Sequence, residues 1–297
     1  MITVMGATGR TGRKIAETLL RAGESVRCLA RTQSNLAALK STGADALAGD
    51  ASDPEFLAEA FRGSDAVYTL LPTDRRSPDY RARQDQEGEA IEQALRRSGV
   101  RYVVALSSLG AELSGGTGLI AGLHAQEKRL EGLEGANVLF LRRPVSFFEN
   151  FYEYIPRIKR EGFSSDSVAP DVAVPMVASR DIADAAARAL AARDWQGVEV
   201  RELLGHRDLS YAEATLILGE QIGIYDLQYI QLPYADVANV LVREGLSRSF
   251  AGQYVEMTRA VNESRVKPLE GRTPRNTTPT RFEDFAPELA RAYEAAS

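Results

Sequence analysis

The residues with the plainest chemical purpose stand near the start of the chain, in Gly6-Ala7-Thr8-Gly9-Arg10-Thr11-Gly12. A pyrophosphate needs backbone N–H donors at a helix N-terminus, and glycines let the chain approach it closely. Here the glycines follow a Gly-x-x-Gly-x-x-Gly spacing. They come directly after a short apolar run (2–5) and directly before a stretch (13–22) with Ile15, Leu19 and Leu20 near helical spacing. That context predicts a dinucleotide held by Gly6, Thr8, Gly9, Arg10, Thr11 and Gly12. The second strand ends in Ala30-Arg31-Thr32, with no acidic residue to accept ribose hydroxyls. Arg31, helped by Thr32, Ser34 or Arg10, suits a 2′-phosphate, so NADP(H) is preferred and NAD(H) remains compatible. Asp50, just past the third strand, is placed either to meet the adenine or to serve as a turn residue.

The elements that position this loop alternate from the first residue. Strands are expected at 2–5, 25–30, 46–48, 65–71, 102–107 and 138–141, with helices at 13–22, 34–41, 54–62, 81–98 and 123–133 between them. Such βαβ alternation predicts an α/β fold, a Rossmann-type doubly wound parallel sheet over residues 1–145. After Arg143-Pro144 the rhythm changes. An aromatic-rich helix (146–160), a strand (172–177), an alanine-rich helix (182–192) capped by Asp181 and a strand (198–204) follow. A helix (211–222), a strand (227–232), two or three helices to 262 and a last helix (282–296) complete the chain. Residues 146–297 are read mostly as a smaller C-terminal α/β cap, with segments around 172–205 able to complete the first sheet. A net charge of −5, spread along the chain, builds no basic face for nucleic acid. One Cys and two His exclude an internal disulfide framework and argue against a metal site. No stretch has the length of a membrane span, and the opening strand leaves no room for a signal peptide. The expectation is a soluble, cytoplasmic protein.

Several segments together resemble the NmrA-like branch of the atypical short-chain dehydrogenase/reductases: the glycine loop, Gly49-Asp50, Leu141-Arg142-Arg143-Pro144, Phe148-Glu149-Asn150-Phe151, Ser179-Arg180-Asp181-Ile182-Ala183 and Thr278-Pro279-Thr280. The likeness spans essentially the whole chain. It implies a Rossmann domain with a small C-terminal substrate or partner domain. It also implies either an NADPH-dependent quinone or azo-type reductase or an NADP-binding redox sensor. Reductases of the broader superfamily use Tyr-x-x-x-Lys, which this chain lacks. His124-Ala125-Gln126-Glu127-Lys128 has the spacing instead, so His124 is the candidate acid and Lys128 the candidate ribose contact. Alternatively both are ordinary polar residues of a helix. The superfamily serine corresponds to Ser107 at the end of the fifth strand, or else Ser107 is a turn residue. Leu71 and Pro72 should pass beneath the nicotinamide.

Phe147, Phe148, Asn150 and Phe151 are expected near the mouth of the same cleft, where an aromatic wall suits a flat substrate. Aromatics at helical spacing also serve as core. Gly115-Gly116-Thr117-Gly118 reads as a mobile loop over the site. Two functions follow from these residues. One is an oxidoreductase passing hydride from NADP(H) to a small conjugated acceptor such as a quinone or azo compound. The other is a non-catalytic NADP(H)-binding regulator acting through a protein partner. A homodimer is compatible with either.

Overall fold

The computed structural model describes residues 1–72 and 74–296. Its first half is strand–helix alternation: β1 (Ile2–Val4), α1 (Arg10–Arg21), β2 (Val26–Ala30), α2 (Ala37–Ser41), β3 (Asp45–Ala48), α3 (Pro54–Phe61), β4 (Ala66–Thr69), α4 (Tyr80–Ser98), β5 (Tyr102–Ser108), α5 (Ala121–Glu131) and β6 (Asn137–Arg143). The second half holds β7 (Ser146–Phe147), α6 (Ile155–Glu161), β8 (Phe163–Asp166), β9 (Val174–Val177), α7 (Ser179–Ala192), β10 (Val198–Glu202), β11 (Asp208–Leu209), α8 (Tyr211–Ile222), β12 (Gln228–Gln231), α9 (Tyr234–Arg243), α10 (Arg248–Asn262) and α11 (Phe282–Ala295).

Seven strands form one sheet in the order β10-β6-β5-β4-β1-β2-β3. Every pairing in it is parallel. Because strand side chains alternate faces, each strand feeds two cores. Val104, Leu139 and Leu141 face a layer built by α1 and α7. Val103, Ala105, Val138 and Phe140 face the layer of α3, α4 and Leu130 of α5. This is the doubly wound α/β arrangement expected from the alternation.

The chain leaves this sheet after β6 and comes back to it. Helix α7 lays Ile182, Ala183, Ala186, Ala187 and Leu190 on the first layer at helical spacing. Strand β10 then pairs with β6 from Val198↔Val138 to Glu202↔Arg142. Between them Trp195 is buried, edge-on to Tyr102 at 5.2 Å. Burying side chains such as Ile182 and Leu190 contributes about 1.5–3 kcal/mol each.

The remaining elements gather around a second core of Phe148, Phe151, Tyr211, Phe282, Phe285 and their neighbours. Three local expectations change here, and one strand appears where none was expected. The stretch 146–160 is not one helix: it is β7, a 3₁₀ turn over Phe148–Glu153, and α6, whose Pro156 lies in the first turn where a missing N–H costs nothing. Strand β8, Phe-Ser-Ser-Asp, pairs with β12 although its sequence is too polar to suggest a strand. Its hydroxyls are satisfied internally, Ser164 by Thr215 at 2.8 Å and Ser167, just beyond it, by Thr258 at 2.8 Å. Asp181 does not cap α7. The helix begins at Ser179, and Asp181 instead accepts from the Thr280 amide (3.1 Å) and hydroxyl (2.7 Å). Finally, the glycine-rich 115–118 loop is packed rather than loose: Thr117 is fully buried and Arg265 donates to the Gly115 carbonyl at 3.1 Å.

Candidate active site

The phosphate loop is built by backbone contact. Met5 N–H donates to the Tyr68 carbonyl and Ala7 N–H to that of Leu29, fixing the turn between β4 and β2. Gly6 has φ +63°, which L side chains rarely adopt, and a Cβ at Gly12 would lie 2.3 Å from the Gly6 carbonyl oxygen. Helix α1 therefore starts as close to the loop as two backbones allow. It begins at Arg10 rather than at residue 13, so the loop's own residues form its first turn. Gly9 is its N-cap with no side-chain cap, and no acidic residue lies in that turn. The first-turn amides and the positive helix end are thus available to an anion, and the cradle fits a pyrophosphate. Thr8 and Thr11 are half-buried and Arg10 is exposed, its guanidinium 5.9 Å over the Tyr152 ring. Arg31 is exposed just after β2, in no ion pair among the described residues.

Asp50 takes the turn role. Its carboxylate accepts from the Ser52 amide and from Arg83, both at 2.9 Å, and these partners, the amide foremost, hold it below the usual carboxylate range.

Strand alternation decides the next residues. Ser107 pairs with Arg142 and Ser108 with Arg143 across β5 and β6. The first pair faces α5: Ser107 donates to Glu127 at 2.5 Å, and Arg142 grips Glu127 with two bonds of 2.6 and 3.0 Å. Ser107 is therefore an anchor for α5 rather than a residue of the cleft, and Glu127 is buried with it. The second pair faces the other way. Arg143 lines a cavity of about 400 Å³ and reaches the Ser108 hydroxyl at 3.4 Å.

That cavity opens over the C-terminal ends of β4 and β6, where ligands of this fold gather. Leu71, Tyr80, Leu123 and Arg143 line it together with Phe250 and Met257 of α10. Phe147 and Asn150 line it, with Arg143 stacked 4.9 Å over the Phe147 ring. Pro72 follows Leu71 and is half-buried. Phe148 and Phe151 do not line it: each is 1% exposed and packs on Phe282 in the second core, because the 3₁₀ turn points them inward. At the far end Asp166 accepts from Tyr154 (3.0 Å) and Tyr254 (2.6 Å), and burial raises both phenols well above their ordinary range.

The His–Lys pair lies outside the cavity lining. Lys128 is 61% exposed and pairs with Glu131 at 2.9 Å, so it stands in solvent rather than over the cleft. His124 Nδ1 lies 2.8 Å from the Ala111 carbonyl, which can only accept. The neutral ring then has no proton on Nε2 to give, and His124 acts as an acid only as imidazolium.

Sequence reasoning also missed Glu149. Both its oxygens receive the Ser179 amide (3.0 and 3.1 Å), and the Ser179 hydroxyl donates at 2.5 Å. The carboxylate caps α7 from 30 residues away, a task Ala178 cannot perform. Two of the segments carrying the family resemblance thus hold each other, and a third, at Thr280, ties to Asp181 beside them.

Residues 6–128 match a family described as NAD(P)H-binding. Over 223 residues the chain is 30% identical to a (4-alkanoyl-5-oxo-2,5-dihydrofuran-3-yl)methyl phosphate reductase of Streptomyces griseus, covering 75% of this chain and 74% of that one. The structure of NmrA, a negative transcriptional regulator in complex with NADP, superposes with a TM-score of 0.66 at 17% identity, over 99% of this chain and 93% of that one. The chain belongs to the NmrA-like family of atypical short-chain dehydrogenase/reductases. Within this NmrA-like family it is also 25% identical to an NAD(P)H azoreductase of Xenophilus azovorans over the full length of both. An NADPH-dependent quinone oxidoreductase of Escherichia coli, solved with NADPH, shares the fold with a TM-score of 0.80 at 22% identity, over 99% of each chain. Among the described residues no helix is long and apolar enough to cross a membrane, and no His, Cys, Asp or Glu cluster could hold a metal ion.

Proposed function

We propose that this NmrA-like protein is an NADP(H)-dependent reductase that delivers hydride to a small conjugated acceptor, of the quinone or azo kind. The observation that carries the reading is the cavity of about 400 Å³ walled by Leu71, Phe147, Phe250 and Met257 over the ends of β4 and β6, on the same sheet edge as the phosphate cradle. A pocket of this size with aromatic and apolar side chains along part of its wall takes a flat molecule, and its charged side chains can meet the polar groups of that molecule. When bound, the reduced dinucleotide supplies the hydride. The chain's own part is positional. The α1 amides and Arg10 hold the pyrophosphate, and Arg31 meets the 2′-phosphate, giving the preference for NADP(H). Leu71 and Pro72 back the ring, and Phe147 and Met257 close the acceptor in. Relatives named as an azoreductase, a butenolide-type phosphate reductase and a quinone oxidoreductase support the class of acceptor.

A second reading, an NADP(H)-binding regulator with a protein partner, draws on the missing Tyr-x-x-x-Lys and on the likeness to NmrA. NADPH oxidation with a panel of quinones, azo dyes and enones decides between them, run on wild type and His124→Ala with NADPH affinity measured beside it. Turnover is expected with at least one acceptor class, and the His124→Ala variant should keep it. Tight NADPH binding with no turnover on any acceptor would replace the reductase by the regulator.

A further inference from the structure

Arg143 is a half-buried cation with no anionic partner among the described residues. Its Nη1 donates to the Pro144 carbonyl (3.0 Å) and the Ser108 hydroxyl (3.4 Å), both neutral, and its Nε has no hydrogen-bond partner among the described residues. Glu153, Asp166 and Glu244 line the same cavity, yet none pairs with it. Glu153 meets Arg75, and Asp166 meets Tyr154 and Tyr254. Desolvation, opposed by the phenols of Tyr68 and Tyr80, pushes the guanidinium down to about 10. By contrast its neighbour Arg142, one residue earlier on the opposite face, has Glu127 and Glu112. A desolvated cation left unpaired is costly, and a fold tolerates one where a ligand completes it.

We propose that Arg143 binds the acceptor's conjugated oxygen and stabilises the oxyanion that hydride transfer creates there. The inference rests on the reductase reading. As the acceptor's electrophilic carbon takes hydride from the reduced dinucleotide, which is left oxidised, a C–H bond forms. The acceptor's π pair moves onto the conjugated oxygen, giving an enolate or phenolate. The Arg143 N–H groups receive that charge, and water then supplies the proton. Electrostatic stabilisation of this kind replaces the phenolic acid of the broader superfamily, because the charge is held by a fixed cation rather than quenched at once by a tyrosine proton. The stack of Phe147 under the guanidinium and the Ser108 hydroxyl set the fork's direction toward the cavity. The specificity that follows is for acceptors whose reduction places negative charge on oxygen, quinones and enones ahead of azo compounds.

The test needs no turnover. 4-Nitrophenol, whose ionised form absorbs separately, is titrated against pH in the presence of NADP⁺ with wild type, Arg143→Gln and Arg143→Lys. In the wild type the bound phenol is expected to ionise at least about one pH unit lower than the free one, corresponding to about tenfold tighter binding of phenolate than of phenol. Arg143→Gln should abolish that shift with NADP⁺ affinity retained, and Arg143→Lys should restore part of it. The wild-type Arg143 Nε–H resonance, followed by ¹⁵N NMR, should move on probe addition, which keeps the test decisive if the Gln variant does not fold. An equal shift in wild type and Arg143→Gln, an unmoved Nε–H resonance, or no binding of the probe to wild type would each overturn the assignment. NADPH turnover surviving alongside any of these would leave the reductase reading standing without Arg143.

Discussion

Replacing Gly12 by alanine tests the phosphate cradle most directly, because two effects of opposite sign meet there. Within a helix interior, alanine is about 1 kcal/mol better than glycine. Against that gain, the new Cβ would sit 2.3 Å from the Gly6 carbonyl oxygen, 2.7 Å from its carbon and 3.2 Å from Ala7 Cα. All three are backbone atoms, so no rotamer change relieves the contact. Helix α1 must lift by about 1 Å to reach ordinary van der Waals distance, against a helix whose Ile15, Ala16 and Leu19 are almost fully buried in close-packed surroundings. Overpacking of this kind costs about 1–3 kcal/mol, and the clash outweighs the propensity gain. The lifted first turn also misaims its amides, so NADPH affinity should fall at least about tenfold, one such donor being worth about 1.5–3 kcal/mol toward a charged group. Gly9→Ala is the control: its Cβ would meet only the Gly6 oxygen at 3.3 Å, so stability should hold while affinity falls. Denaturant melts and NADPH fluorescence titration read both quantities. Wild-type stability and affinity in Gly12→Ala would refute the close-approach argument.

Arg31→Ala should weaken NADPH by about tenfold or more, the value of a charge-assisted contact, while leaving NADH nearly unchanged, and an equal loss for both would remove the 2′-phosphate assignment. Glu127→Ala should destabilise by about 1.5–3 kcal/mol in urea melts, because it removes both short bonds to the buried Arg142 and leaves it only Glu112 at 3.2 Å, whereas the double change Glu127→Leu/Arg142→Met should recover most of that; a single-variant cost under about 1 kcal/mol would show that the pair is not shielded from water. Glu87 is a pH lever. Burial, opposed by Arg83, raises its pKa from 4.5 to about 7, so the folded state holds a proton that the unfolded chain releases. Its stabilising contribution is therefore present below the unfolded value and lost as pH rises through about 7. Glu87→Gln should accordingly be more stable than wild type at pH 8, by about 1–3 kcal/mol, with the gap closing below pH 5; a pH-independent difference would refute this.

The nucleotide-binding half was legible because its signals are local. A strand, three glycines and an amphipathic helix lie within 22 residues, and the central strands β4 and β5 are largely apolar runs. The cleft was less legible for equally physical reasons. Ser107 and Ser108 are identical letters, and only the register against β6 tells which one faces α5 and which one Arg143. Phe147, Phe148 and Phe151 share a composition but not a direction, since a 3₁₀ turn in place of an α-helix redistributes them between cavity and core. Asp181 had the residue type of an N-cap, yet the capping carboxylate arrives from Glu149, a contact no local window contains. The His124–Lys128 spacing was real, but spacing fixes two residues relative to each other and not which way their face of α5 turns.

The return of α7 and β10 to the first sheet has a consequence for how the protein is made. A ribosome delivering this chain releases the glycine loop well before α7, and the layer over α1 lacks Ile182, Ala186 and Leu190 until residues past 190 have emerged. Up to that moment the nascent nucleotide domain presents an open apolar flank, the condition in which emerging chains meet chaperones or aggregate. Among the side chains that seal it is Trp195, the only tryptophan in the sequence, which settles against Tyr102. Its emission therefore dates the closure of the flank, whether on the ribosome or in a refolding cuvette.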